Sequence, residues 1–284
     1  MLLLSRSDVE SLLHPAACLE AMEGVMISLT EGAATQPPRT VIPLGAGGAS
    51  ALFMPALIDR PALVGTKLVT IVPDNHTRGL PSHHAGLLVA EAESGRTIAL
   101  LEAASVTAIR TAAVSALATR LLARTDARVL ALLGTGVQAR SHLEALPAVR
   151  DFDEIRVWSP RPESRRAFVA ATEPPVDVRL VATETAEEAV RGADVVTTAT
   201  ATRRPIVAAD WIAPGTHVNA VGASTATTRE LATEVVAGAA FFVDHRSAAL
   251  EEAGELLVPI EEGALDADHI RADLGEGASG RHPG

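Results

Sequence analysis

The chain has 284 residues, enough for two domains or one large one with a full hydrophobic core. Hydrophobic residues make up 48% and aromatics only 2%, so the core must be built from Ala, Val, Leu and Ile. A formal charge of −11 argues against nucleic acid or an anionic membrane as the main partner, and the single Cys18 excludes an intrachain disulfide.

The opening Met-Leu-Leu-Leu-Ser-Arg lacks the length and charge order of a signal peptide, and no apolar run is long enough to span a bilayer. A cytoplasmic, soluble protein is expected. A short strand at Leu2–Leu4 precedes Ser7, Asp8, Val9 and Glu10, which have capping-box form and predict one helix running to about Glu31. Short β-prone segments follow at 40–43, 49–55, 64–72, 86–91 and 97–101, spaced as an antiparallel meander. An Ala-rich helix is expected over 104–123. From Val129 the pattern changes to strand and helix in alternation, with strands near 129–133, 155–158, 178–182, 195–199, 217–221 and 240–243. That alternation predicts a parallel sheet with helices on both faces. The expected division is an α+β domain over 1–124, a dinucleotide-binding domain over 125–263, and a polar, Gly-rich segment over 264–284 that frays.

The stretch from Ala127 to Leu146 is an apolar strand running into Gly134-Thr135-Gly136-Val137-Gln138-Ala139 and then a helix. Gly134 permits the sharp turn, Gly136 lets backbone N–H groups approach a pyrophosphate, and Ala139 lets the helix lie close to the sheet. The second strand of such a unit ends in Asp or Glu when NAD is held. Here it ends in Ser159, with Arg161, Arg165 and Arg166 close behind, a set that favours the 2′-phosphate of NADP(H) while leaving NAD(H) possible. Thr197, Thr198, Ala199 and Thr200 close another strand, where cofactor phosphates or ribose would pass.

Three cations stand in unusual settings: Arg39 where a Pro-rich loop enters a strand, Lys67 within an apolar strand, and Arg110 in an apolar helical segment. A charge in such a place is costly unless paired or bound, and three of them facing one cleft would hold a carboxylate. His83 and His84 are adjacent, so in a strand at most one faces that cleft; His83 is the candidate for substrate positioning. No metal-ligand spacing and no Gly-x-Ser-x-Gly elbow is present, so neither a metal site nor serine hydrolase chemistry is expected. Asp244 and the acidic residues of 251–255 read as helix-end and surface charges.

These motifs together resemble the ornithine cyclodeaminase/μ-crystallin family, through 36–41, 66–70, 80–84, 107–119, 134–146, 192–199, 215–223, 229–231 and 243–254. The resemblance implies a dimerising α+β domain, a Rossmann domain, and an active site in the cleft between them. It implies that Arg39, Lys67 and Arg110 hold the carboxylate of an imino or amino acid, and that the protein is a homodimer. The loop through Val221, Gly222, Ala223 and Ser224 resembles the ketimine-reductase branch, whereas cyclodeaminases carry Asp at the position of Ser224. Pro160 stands where NADP-using members usually carry Arg, with Arg161 one place on. Members also continue a few dozen residues past the position of Gly284, with a segment that returns across the cleft. The expectation is an NADPH-dependent reductase of cyclic ketimine carboxylates, with Lys67 and Arg110 catalytic. The alternatives are an amino-acid dehydrogenase, an ornithine cyclodeaminase, and a non-catalytic NADPH-binding protein.

Overall fold

The computed structural model describes residues 1–45, 48–173 and 177–282. The chain divides into two compact units, Met1–Arg110 and Thr111–Gly284. In the first unit, β1 (Leu2–Leu4), α1 (Arg6–Leu12) and α2 (Pro15–Glu31) lead into β2 (Ala34–Thr35), β3 (Thr40–Pro43), β4 (Ser50–Ile58), β5 (Leu63–Ile71), β6 (His83–Glu91) and β7 (Thr97–Glu102). Helix α3 (Ala103–Leu122) crosses from the first unit into the second. Strands β4 to β7 form the antiparallel meander, β1 adds in parallel to β7, and β2 and β3 both pair with β4.

Two local expectations change here. The capping box forms two residues earlier, with Ser5 as the cap and Asp8 returning the bond, since Ser5 is the residue that keeps the extended backbone a cap needs. The single long helix is broken at Leu13–His14, since Pro15 has no N–H to continue it and instead opens α2.

The second unit is built on β8 (Val129–Leu133), α4 (Val137–Ala145), β9 (Glu154–Trp158), α5 (Pro162–Ala170), β10 (Arg179–Ala182), α6 (Ala186–Val190), β11 (Val195–Thr198) and β12 (His217–Ala220). These strands form a parallel five-stranded sheet in the order β10-β9-β8-β11-β12, the doubly wound arrangement with its switch point between β8 and β11. Leu130 to Leu133 and Val195 to Thr198 are buried continuously, as strands covered on both faces must be.

The chain then passes through α7 (Thr233–Ala237), β13 (Phe241–Val243), α8 (Arg246–Glu252), α9 (Gly254–Glu261), β14 (Ile270–Asp273) and α10 (Leu274–Ala278). The segment expected to fray is therefore ordered. Ile270, Ala272 and Leu274 are buried, β14 pairs in parallel with β13, and Asp273 and Glu276 cap α10 reciprocally. Residues 283 and 284 lie outside the described residues. The division between the two units falls inside α3. Thr107 near its start bonds Lys67 of the first sheet, while Ser115 and Thr119 bond His142 and Asn219 of the second unit.

Candidate functional site

All five parallel strands end on one edge, and the residues expected to hold a nucleotide gather there. Gly134 leaves β8 with φ +131°, and a Cβ on it would lie 2.4 Å from the Ala199 carbonyl oxygen, so no side chain is tolerated. Ala199 N–H donates to Leu133 O at 2.7 Å, and Val221 N–H donates to Thr198 O at 2.9 Å, which aligns the loops after β8, β11 and β12. Gly136 is the N-cap of α4 and supplies no side-chain cap, while a Cβ there would meet open space. The first N–H groups of α4 are thus available to an anion. Ala139 is fully buried, as close helix packing requires, whereas Val137 is exposed. Thr135 is half-buried beside it, and the amide oxygen Oε1 of Gln138 is buried without a hydrogen-bond partner. A glycine turn no side chain can enter, next to an uncapped helix start, fits the diphosphate of a pyridine nucleotide.

The helix start rests on a buried polar chain. His142 donates from Nδ1 to Gln138 O at 2.7 Å and accepts at Nε2 from the Ser115 hydroxyl at 2.9 Å. Burial lowers the pKa of His142, keeping it neutral as this pattern demands. Thr119 donates to Ser115 O and accepts from the Asn219 amide, whose oxygen is bonded by His217.

At the end of β9 the arginine cluster separates into two roles. Arg165 is buried, donating to Ser159 O at 3.2 Å and pairing with Glu184, so it holds the fold and is withdrawn from the set expected to meet a phosphate. Ser159 is buried too, its hydroxyl donating to Arg161 O at 3.2 Å. Arg161 and Arg166 are exposed, with Arg161 at the N-cap of α5 and its Nε donating to the Ser164 hydroxyl.

Two acidic residues carry more of this edge than the sequence indicates. Glu230 has no exposure to solvent. Its Oε1 accepts from the Thr200 N–H at 2.7 Å and the Thr200 hydroxyl at 2.6 Å, and its Oε2 from the Thr198 hydroxyl at 2.7 Å and the Gly222 N–H at 2.6 Å. Burial raises the pKa of Glu230 while these donors oppose the rise. Glu255, expected among surface charges, is buried instead. It accepts from the backbone N–H groups of Glu230 at 2.5 Å and Leu231 at 3.3 Å. Burial above all, with the Glu230 charge adding to it, lifts its pKa to about 7 against the opposing backbone bonds and Arg229. Ser224, two places beyond Gly222, is exposed.

In the first unit, Lys67 lies in the middle of β5, paired with Met54 and Leu87. Its ammonium donates to the Thr107 hydroxyl at 3.2 Å, and that hydroxyl donates in turn to Ala103 O. Burial first, then the charges of Arg110 and Arg39, bring the Lys67 pKa down to about 8. The charges of Arg39 and Arg110 are therefore felt at Lys67, and among the described residues no carboxylate forms an ion pair with Lys67. A half-buried ammonium in that setting favours an anion beside it. His83 opens β6 opposite Ile71, which shares a face with Lys67, while His84 pairs with Thr70 on the other face. His83 keeps solvent access, its Nδ1 bonded with the Ser82 hydroxyl at 2.9 Å, and its pKa is lowered by the protein around it.

Comparison with known proteins matches this geometry. Ketimine reductase mu-crystallin of Mus musculus is 37% identical over 284 residues, covering 99% of this chain and 87% of that protein. The structure of Thermococcus litoralis Δ1-pyrroline-2-carboxylate reductase in complex with NADH and L-proline has a TM-score of 0.94 at 34% identity, covering 100% of this chain and 88% of the other. An archaeal alanine dehydrogenase dimer with bound NAD gives a TM-score of 0.92 at 31% identity, with 100% and 86% covered. The sequence profile of one family matches residues 1–284 throughout, and the chain belongs to the ornithine cyclodeaminase/mu-crystallin family.

Proposed function

We propose that this protein reduces cyclic ketimine carboxylates of the pyrroline- or piperideine-2-carboxylate type to the L-amino acid, with NADPH preferred over NADH. The protein is a pyridine-nucleotide-dependent oxidoreductase acting on a C=N bond, as its reductase relatives are. The observation that carries the substrate assignment is the half-buried Lys67 ammonium, with the charges of Arg39 and Arg110 close by. A carboxylate beside Lys67 would meet the field of all three cations, and fixing it fixes the adjacent C=N carbon. When bound, the nucleotide supplies the hydride from nicotinamide C4 to that carbon.

The chain's own residues do the rest. Arg39 and Arg110 orient the carboxylate, with His83 on the face of the sheet that Lys67 occupies. Lys67 delivers a proton to the ring nitrogen, since an ammonium brought to about 8 releases it more readily than an ordinary lysine. Thr107 aims that ammonium by accepting one of its protons. Gly134, Thr135, Gly136, Val137 and Gln138 form the diphosphate turn, and Thr198, Ala199, Thr200 and Val221 the loops beside it. NADPH preference is supported by exposed Arg161 and Arg166, and by the lack of a carboxylate at Ser159. Ser224 supplies no carboxylate to manage a substrate side-chain amine, which favours reduction over cyclodeamination.

A homodimer and a cytoplasmic location belong to the same proposal. Among the described residues no single helix is long and apolar enough to cross a membrane, and a lone buried Cys18 suits a reducing compartment. Arg110→Ala tests the assignment: imine turnover should fall by about a hundredfold or more while NADPH affinity is kept. A collapse of NADPH binding instead would contradict it.

A further inference from the structure

Glu230 is fully buried, and reduction as described above gives it no task. We propose that Glu230 is a positioning residue for that reaction. Its carboxylate bolts the loop after β11 to the loop after β12, so that the two loops beside the diphosphate turn keep one fixed arrangement. The inference rests on the nucleotide-dependent reduction above, because that reading gives the two loops a shared purpose.

The bolt is anchored at both ends. Its backbone is fixed by Glu255, which accepts the Glu230 N–H, and by Ile206 and Val207, whose N–H groups donate to Glu230 O at 2.6 and 3.2 Å. Its side chain reaches Thr198 and Thr200 on one loop and Gly222 on the other. Both oxygens are doubly loaded, and all four partners donate, so the ionised carboxylate is the form the geometry satisfies. The fit leaves no slack. A Cβ on Gly222 would lie 2.1 Å from Thr200 O and 2.6 Å from the Glu230 Oε2.

The path also continues. Ala199, between the two threonines, is the residue whose carbonyl presses on Gly134, so the phosphate turn, Ala199, Thr200, Glu230, Gly222 and Val221 form one unbroken series of contacts. A buried carboxylate is costly to place, and here it is held by the Thr200 and Gly222 N–H groups and the Thr198 and Thr200 hydroxyls. What the charge adds is directional hold on two loops at once.

Glu230→Gln keeps the size but turns one doubly loaded acceptor into an NH2 facing two donors, one of them a backbone N–H, which loosens that side of the bolt. Turnover of Δ1-pyrroline-2-carboxylate is measured at saturating NADPH, well below the variant's melting temperature. There kcat should fall about tenfold or more, with weaker NADPH binding by fluorescence. A merely structural role would lower the melting temperature and leave kcat of the folded protein unchanged. Thr198→Val removes one strap from a residue with no solvent exposure, and should lower kcat in the same direction by a smaller factor. It decides the matter should Glu230→Gln fail to fold. A kcat within about twofold of wild type in the folded variant overturns the proposal. Wild-type protein that neither binds NADPH nor reduces the imine overturns the underlying reading, and the bolt with it.

Discussion

At the scale of single residues, Lys67 concentrates the chemistry. Its ammonium is lowered to about 8, so it is charged at neutral pH and loses its proton just above it. Both of its proposed tasks, holding the carboxylate and supplying the proton, fail on deprotonation. The kcat/KM for the imine should therefore decline as pH rises through about 8, and Lys67→Arg, which stays charged, should remove that limb while lowering turnover. A pH–rate profile flat to about pH 9.5 would contradict the assignment.

Lys67, Arg39 and Arg110 were legible in the sequence because a cation in an apolar setting is conspicuous. Glu230 was not: Arg229-Glu230-Leu231 entered only as part of the family resemblance, and the partners of Glu230 lie some thirty positions away, at Thr198 and Thr200. Arg165 misled for the same reason. Its carbonyl and carboxylate partners, Ser159 and Glu184, become visible only once β9 and α5 are packed.

At the scale of elements, α9 makes a prediction of its own through Glu255. In the unfolded chain this carboxyl ionises near the ordinary 4.5, and in the folded chain near 7. Between those values the folded state holds the extra proton, so this group removes stability as pH rises from about 4.5 to about 7. Glu255→Gln cannot ionise. Its stability relative to wild type should increase across that window, by an amount on the order of 3 kcal/mol, read from denaturant unfolding at several pH values. His217, lowered to about 4 by burial, costs stability as pH falls from about 6.5, but does so equally in both proteins and cancels. A relative stability independent of pH would show that Glu255 is ionised throughout.

The strand and helix alternation after Val129 and the meander before it were both readable from periodicity, because each strand's burial follows its own local pattern. The ordering of β14 and α10 was not. Gly275, Gly277 and Gly280 dominate that stretch of sequence, and the parallel pairing of β14 with β13 depends on a partner thirty residues earlier. The break at Pro15 was available from sequence alone, and was hidden by the apolar run on either side.

At the scale of the whole molecule, the first sheet leaves one face to be covered. The strand register places Phe53, Leu57, Val64, Leu68, Leu88 and Leu100 on the face opposite Lys67, each 37–41% exposed. A continuous apolar surface of this kind marks an interface, and a second copy of the chain is its proposed occupant. Replacing Leu68 and Leu88 together by Lys should convert a dimer to a monomer in analytical ultracentrifugation. A wild-type protein that sediments as a monomer at micromolar concentration would remove the dimer from the account.

Hydride delivery to a preformed cyclic imine whose carboxylate sits on Lys67, Arg39 and Arg110 can be read by following nucleotide absorbance across a substrate panel. NADPH should be consumed with pyrroline- or piperideine-2-carboxylate, faster than NADH, and far more slowly with 2-oxo acids plus ammonia. Ammonia released from ornithine without net absorbance change, or no nucleotide consumed with any imine, would contradict it.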